Sequence, residues 1–224
     1  MCYPFDAQPP ESPGATGEIQ TQDLTLTATD GTGFAAFLAR PQQPSSTGIV
    51  VLPDVRGLFS FYEELARGFA RQGINALTID YFGRTAGVAK RGEDFSFMDH
   101  VRQTKAEQIS DDVGAGVAYL RSPDGGSCTS IFTVGFCFGG SNSWLQAANG
   151  HGLAGVIGFY GRPGPSFADS SPGPLQRVSE LKAPVLALDA NIRMASISPL
   201  ADGNKPNASH RAGCSGSRSA KRLT

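Results

Sequence analysis

The chain has 224 residues, enough for one well-buried domain or two small ones. Hydrophobic residues make up 40% and charged residues 17%, as in a water-soluble globular protein, and a net charge of −1 points to neither nucleic acid nor an anionic membrane as a partner. The opening MCYPFDAQPPESPG has no basic stretch followed by an apolar one, and no apolar run approaches the ~20 residues that span a bilayer, so a cytoplasmic location is expected.

Residues 1–20 read as a flexible arm. Leu24 to Ala28 alternates apolar and polar, Asp30-Gly31 supplies a turn, and Gly33 to Ala39 is apolar, which together predict a β-hairpin. Ile49 to Leu52 is a short continuous apolar run ended by Pro53. Phe61, Leu65 and Phe69 recur at helical spacing before Gly73, predicting a helix over 61–72. Ala76 to Ile79 is a second apolar run. Ile109, Val113, Val117 and Leu120 mark one face of a second helix, stopped by Ser122-Pro123. Ile131 to Val134, Ala154 to Tyr160 and Pro184 to Leu188 are further runs, with a helix over 141–148 and a short helix-like stretch near 175–181. Continuous apolar strands alternating with amphipathic helices predict an α/β fold with a mostly parallel sheet buried on both faces. In such a sheet the ligand site lies beyond the carboxyl ends of the strands.

One of those ends reads Gly135-Phe136-Cys137-Phe138-Gly139-Gly140. This is the nucleophile-elbow pattern with Cys in place of Ser. The glycines suit a turn too tight for flanking side chains, with the central residue in strained backbone. The sulfur is then presented at a helix N-terminus, where negative charge is favoured and free N–H groups can hold an oxyanion. A buried structural cysteine and a phosphate-binding glycine loop are the competing interpretations. The loop lacks both G-x-G-x-x-G and a following Lys-Ser/Thr. After Leu52 the chain reads Pro53-Asp54-Val55-Arg56-Gly57. Val55 N–H and Phe138 N–H are the expected oxyanion donors, and Asp54 is expected near the thiol. The other cysteines, Cys2, Cys128 and Cys214, form no C-x-x-C pair and no metal-ligand spacing, so neither a metal nor a cofactor is expected.

Four blocks, Val51 to Gly57, Asp80-Tyr81-Phe82-Gly83-Arg84, Gly135 to Gly140 and Gly158-Phe159-Tyr160-Gly161, come in an order and spacing that resembles the dienelactone hydrolase family. The resemblance covers about residues 24–190 and implies an α/β-hydrolase fold over residues 21–190. It implies hydrolysis of a small ester or lactone by a Cys nucleophile assisted by Asp and His. Carried over by position, Cys137 is the nucleophile, Asp54 stands where the family type enzyme has a Glu contacting the resting thiol, and Arg84 stands where an arginine holds the substrate carboxylate.

Beyond Leu188 the resemblance breaks. The family's Gly-Gly-x-Asp turn is absent, and of three histidines only His210 falls in the expected region, eight residues after Asp202. His210 and Asp202 are thus the candidate base and acid. Residues 191–224 lack apolar periodicity and read as an irregular, disordered tail in which the closing strand and helix have been lost or replaced. Weak or absent hydrolase activity is expected on that ground. The alternatives are an inactive relative that binds a small carboxylate ligand or a protein partner, and a redox-sensing thiol.

Overall fold

The computed structural model describes residues 4–10, 14, 17–188 and the backbone of 195–197. The predicted hairpin is β1 (Ile19–Thr27) and β2 (Gly33–Pro41), paired antiparallel in register from Ile19↔Pro41 to Thr27↔Gly33. β1 therefore begins within the stretch expected to be a flexible arm. Upstream of it, Phe5 stacks on Phe59 with ring centroids 4.8 Å apart.

From β3 (Thr47–Leu52) onward the chain alternates strand and helix: α1 (Ser60–Arg71), β4 (Asn75–Ile79), α2 (Gly83–Ala86), α3 (Phe97–Val101), α4 (Ala106–Arg121), β5 (Ser130–Phe136), α5 (Phe138–Gln146), β6 (Gly155–Phe159) and β7 (Val185–Leu188). The helix-like stretch near 175–181 shrinks to a 3₁₀ turn at Val178–Glu180. Ala195–Ile197 forms a short strand, β8, antiparallel to β7. This corrects the expectation that nothing beyond residue 190 would pair with the sheet. A run of three residues carries no periodic signal, so only the presence of the β7 edge reveals it.

Among the described residues the sheet has eight strands in the order β1-β2-β4-β3-β5-β6-β7-β8. β4, β3, β5, β6 and β7 run parallel. After β3 the chain goes to β4 on one side, then returns to β5 on the other. That reversal opens a crevice at the carboxyl ends of β3 and β5, where ligand sites form in open α/β sheets.

Each face is covered by the helices whose periodicity predicts them. On one face α4 buries Ile109, Val113, Val117 and Leu120 against Leu38, Val50, Leu77 and Ile79. Full burial of each such aliphatic side chain stabilises by roughly 1.5–3 kcal/mol. α5 covers the same face further along, where Trp144 packs on Val156 and Val185. On the other face α1 buries Phe61, Tyr62, Ala66 and Ala70 against Phe37, Ile49 and Val51. The stripe is turned from the predicted Phe61/Leu65/Phe69 line, leaving Leu65 and Phe69 half-buried. Gly73 ends α1 at φ 84°: its N–H bonds Ala70 O at 2.9 Å and Ile74 N–H bonds Phe69 O at 3.1 Å. This pair of bonds needs a left-handed residue between them, which glycine supplies.

Candidate functional site

Cys137 lies between β5 and α5, with φ 55° and ψ −114°. A non-glycine residue at positive φ is strained by about 1–3 kcal/mol, and such strain gathers at functional sites. The neighbouring glycines explain how the turn closes. A Cβ on Gly135 would fall on Gly139 O, one on Gly139 would fall on Leu52 O and Pro53 O, and one on Gly140 would lie 2.6 Å from Phe159 O. β5, α5 and the loop after β3 are thus in backbone contact. The helix begins at Phe138, three residues earlier than periodicity suggests, because glycines and a serine carry no apolar stripe.

The loop after β3 is held from both sides by buried tyrosines. Tyr81 Oη donates to Pro53 O at 2.9 Å, and Asp54 N–H donates to Tyr62 Oη at 2.9 Å. Burial pushes both phenols well above their usual pKa, so both stay protonated. Below them Asp80 collects Leu58 N–H at 3.0 Å, Phe82 N–H at 2.8 Å and Arg91 Nη2 at 2.7 Å. This framework places Val55 at the mouth of a cavity of about 140 Å³ that Cys137, Phe138 and Tyr160 also line. Tyr160 is a second residue at positive φ, 41°, with its N–H bonded to Leu188 O at 2.7 Å. Among the described residues, neither Val55 N–H nor Phe138 N–H meets a backbone or side-chain acceptor.

The other expected residues are distributed unevenly. Asp54 is buried and is not among the cavity's lining residues, and its carboxylate takes Arg56 Nη2 at 2.6 Å, Arg56 Nε at 3.1 Å and Arg56 N–H at 2.9 Å. Arg84 is not among the cavity's lining residues. It bonds Asp30 at 2.8 Å through Nε and both oxygens of Asp112 at 2.9 Å through Nη1. Burial outweighs Arg84 and raises the Asp112 carboxyl to about 7. The arginine that does line the cavity is Arg162, after β6. No carboxylate among the described residues pairs with it, and its N–H is fixed by Ser141 Oγ at 2.7 Å. The Tyr160-Gly161-Arg162 sequence contains the signal, since it follows a parallel strand, but a lone arginine there is indistinguishable from a solvated one.

No described histidine lines the cavity. His151 Nε2 lies 3.1 Å from Gln146 Oε1 and 3.2 Å from Ser110 Oγ, and His100 stacks on Phe95 at 4.8 Å. Asp202 and His210 lie outside the described residues. Among the described residues no cluster of His, Cys, Asp or Glu could hold a metal ion, and no helix is long and apolar enough to cross a membrane.

The mixed sheet with helices on both faces, and its crevice at the β3–β5 switch point, have the form of the α/β-hydrolase fold. Within that class the chain belongs to the dienelactone hydrolase family, whose profile matches residues 34–196. It is 28% identical over 209 residues to a Methylorubrum extorquens protein named "Putative carboxymethylenebutenolidase", covering 87% of this chain and 68% of that one. A Bradyrhizobium protein named "Probable 2-oxo-3-(5-oxofuran-2-ylidene)propanoate lactonase" is 30% identical over 177 residues, covering 75% of this chain and 68% of that one. Among solved structures, the Klebsiella pneumoniae "Putative Dienelactone Hydrolase" superposes with a TM-score of 0.67 at 22% identity, over 76% of this chain and 72% of the other. A dienelactone hydrolase-like promiscuous phosphotriesterase from metagenomic libraries gives 0.62 at 21% identity, over 76% and 68%.

Proposed function

We propose that the chain hydrolyses a small ester or lactone with Cys137 as nucleophile. The observation that carries this is Cys137 at φ 55° between β5 and the N-terminus of α5, in a cavity shared with Val55 and Phe138. The thiolate attacks the carbonyl carbon and a C–S bond forms. The oxyanion is held by the N–H groups of Val55 and Phe138, in a site where fixed donors act without reorganising. The tetrahedral species collapses, the ester C–O bond breaks, and the alkoxide leaves with the proton that the Cys137 thiol gave up to the base. A water then cleaves the thioester, releasing the carboxylic acid and restoring the thiol.

Asp54, buried and paired with Arg56, shapes the oxyanion loop. Anion recognition, expected of Arg84, falls more readily to Arg162, which lines the cavity while Arg84 is occupied by Asp30 and Asp112. By sequence position, His210 is the proposed base and Asp202 the proposed acid. Because the family's Gly-Gly-x-Asp turn is missing and His210 follows Asp202 by only eight residues, acylation is expected to outpace release of the acyl group. That same observation favours a second reading, an inactive relative that binds a small carboxylate at Arg162.

The test is single-turnover reaction with 4-nitrophenyl acetate, followed by mass spectrometry of the Cys137 peptide. A burst approaching one nitrophenolate per chain, an acetyl adduct on Cys137 and slow later turnover are expected, with the burst gone in Cys137→Ala. Equal nitrophenolate release by wild type and Cys137→Ala would defeat the proposal and leave the binding reading.

A further inference from the structure

The cavity at Cys137 is a trough with two unlike walls. One wall is a single face of α5, where Phe138, Ser141, Asn142 and Leu145 recur at helical spacing. Its polar members are engaged already: Ser141 Oγ accepts Arg162 N–H at 2.7 Å, and Asn142 Nδ2 donates to Phe138 O at 2.9 Å. What remains for a ligand along this face is mostly the carbon surface of Phe138 and Leu145.

The other wall is the loop after β6, which contributes Pro165, Phe167 and Pro174. The Phe167 ring meets Phe138 edge-on, with centroids 5.8 Å apart. This wall is fastened at two points. Leu175 N–H bonds Pro163 O at 3.0 Å and closes the base of the loop. Asp169, near the tip, accepts Ala106 N–H at 3.0 Å, in the first turn of α4, where Lys105 supplies no side-chain cap. The same carboxylate takes Ser171 N–H at 3.0 Å and Ser171 Oγ at 2.7 Å. These contacts hold the Asp169 carboxyl down at about 2, against the cost of its burial, so the fastening persists at neutral pH. A wall bound to α4 cannot retreat freely before a larger ligand.

A carbonyl bonded to Cys137 has two substituents to place, and this trough is the apolar space that Cys137 itself lines. The trough's volume of about 140 Å³ matches the ~150 Å³ apolar cavity that accepts a benzene molecule. We propose that it is the acyl-binding pocket, that it selects esters whose acyl group is apolar and no larger than a phenyl ring, and that Leu145 and Phe167 set the limit. This rests on Cys137 being the nucleophile.

The experiment is acylation of the full chain by 4-nitrophenyl acetate, butyrate, benzoate and octanoate, each read as burst rate and as adduct mass on Cys137. Acetate, butyrate and benzoate are expected to acylate at comparable rates, and octanoate at least about tenfold more slowly, the discrimination a few misfitting methylenes produce. Leu145→Ala should raise the octanoate-to-acetate ratio about tenfold. Phe167→Ala should do the same, and this side chain is 46% exposed, so its removal leaves the fold intact even if Leu145→Ala does not fold. Octanoate reacting as fast as butyrate in wild type, or an unchanged ratio in folded Phe167→Ala, would overturn the pocket while adducts on Cys137 still formed. Failure of every ester, acetate included, to leave an adduct would overturn the nucleophile assignment and the pocket with it.

Discussion

Tyr62→Phe isolates the support of the oxyanion loop. The substitution removes one oxygen from a fully buried ring and preserves its packing against Phe59 and Phe136. The bond lost is the 2.9 Å contact in which Asp54 N–H donates to Tyr62 Oη. Asp54 is 1% exposed, so water does not replace the acceptor freely. An unsatisfied buried donor costs about 1–3 kcal/mol. In a domain of this size that corresponds to a Tm lower by roughly 2–4 °C per kcal/mol, or about 4–8 °C for a midway value. The second expected effect is local. Without this bond only one of the two tyrosines, Tyr81, still holds the loop, Val55 N–H drifts, and acylation by 4-nitrophenyl acetate slows by about 10–100-fold, up to the ~10²-fold at which removal of one oxyanion donor begins. Alkylation of Cys137 by iodoacetamide forms no oxyanion and should keep its rate. Thermal melts, burst kinetics and alkylation kinetics on wild type and variant supply the three readouts. A Tm unchanged within 1 °C, or acylation and alkylation falling together, would refute the claim that Tyr62 holds the loop that carries Val55.

Gly139→Ala drives a Cβ onto Leu52 O and Pro53 O, backbone atoms that cannot rotate away. A loss of about 3 kcal/mol or more is expected in urea unfolding, with acylation lost in any folded fraction. Arg162→Gln should slow acylation by 4-acetoxybenzoate, whose carboxylate is on the leaving group, at least about tenfold relative to neutral 4-nitrophenyl acetate. Arg84→Gln should lower stability without changing that ratio, and burst kinetics on the two esters decide between the arginines. His151 is neutral in the fold, because burial, and then Arg121, push its pKa below the usual 6.5. As pH falls through 6.5 the unfolded chain takes up a proton before the folded one, so stability should decrease from that point downward. His151→Gln, read by urea midpoints between pH 5 and 8, should flatten this slope.

Where periodicity is strong, sequence and structure agree. The α4 stripe of Ile109, Val113, Val117 and Leu120 is buried as predicted, and the apolar runs at 49–52, 76–79 and 131–134 all lie within parallel strands. A buried strand or helix states its burial in its own residues. The turn at Cys137 is likewise local, since Gly135, Gly139 and Gly140 are required by contacts within the turn and with the strands beside it.

The partners of the long charged side chains follow another rule. Asp54 meets Arg56, two residues away, but Arg84 meets Asp30 and Asp112, 54 and 28 residues away. No spacing in the chain encodes those distant pairings, because they exist only after β2, β4 and α4 are packed. The loop 162–174 has no periodicity to read, and its role as a wall depends on Asp169 reaching Ala106, 63 residues upstream. The sequence by itself therefore determined the parallel strands, the hairpin, the main covering helices and the elbow cysteine, all products of local pattern and burial. Only the tertiary structure decided which arginine borders that cysteine and how large a group can lie beside it, because both depend on surfaces that distant segments form together.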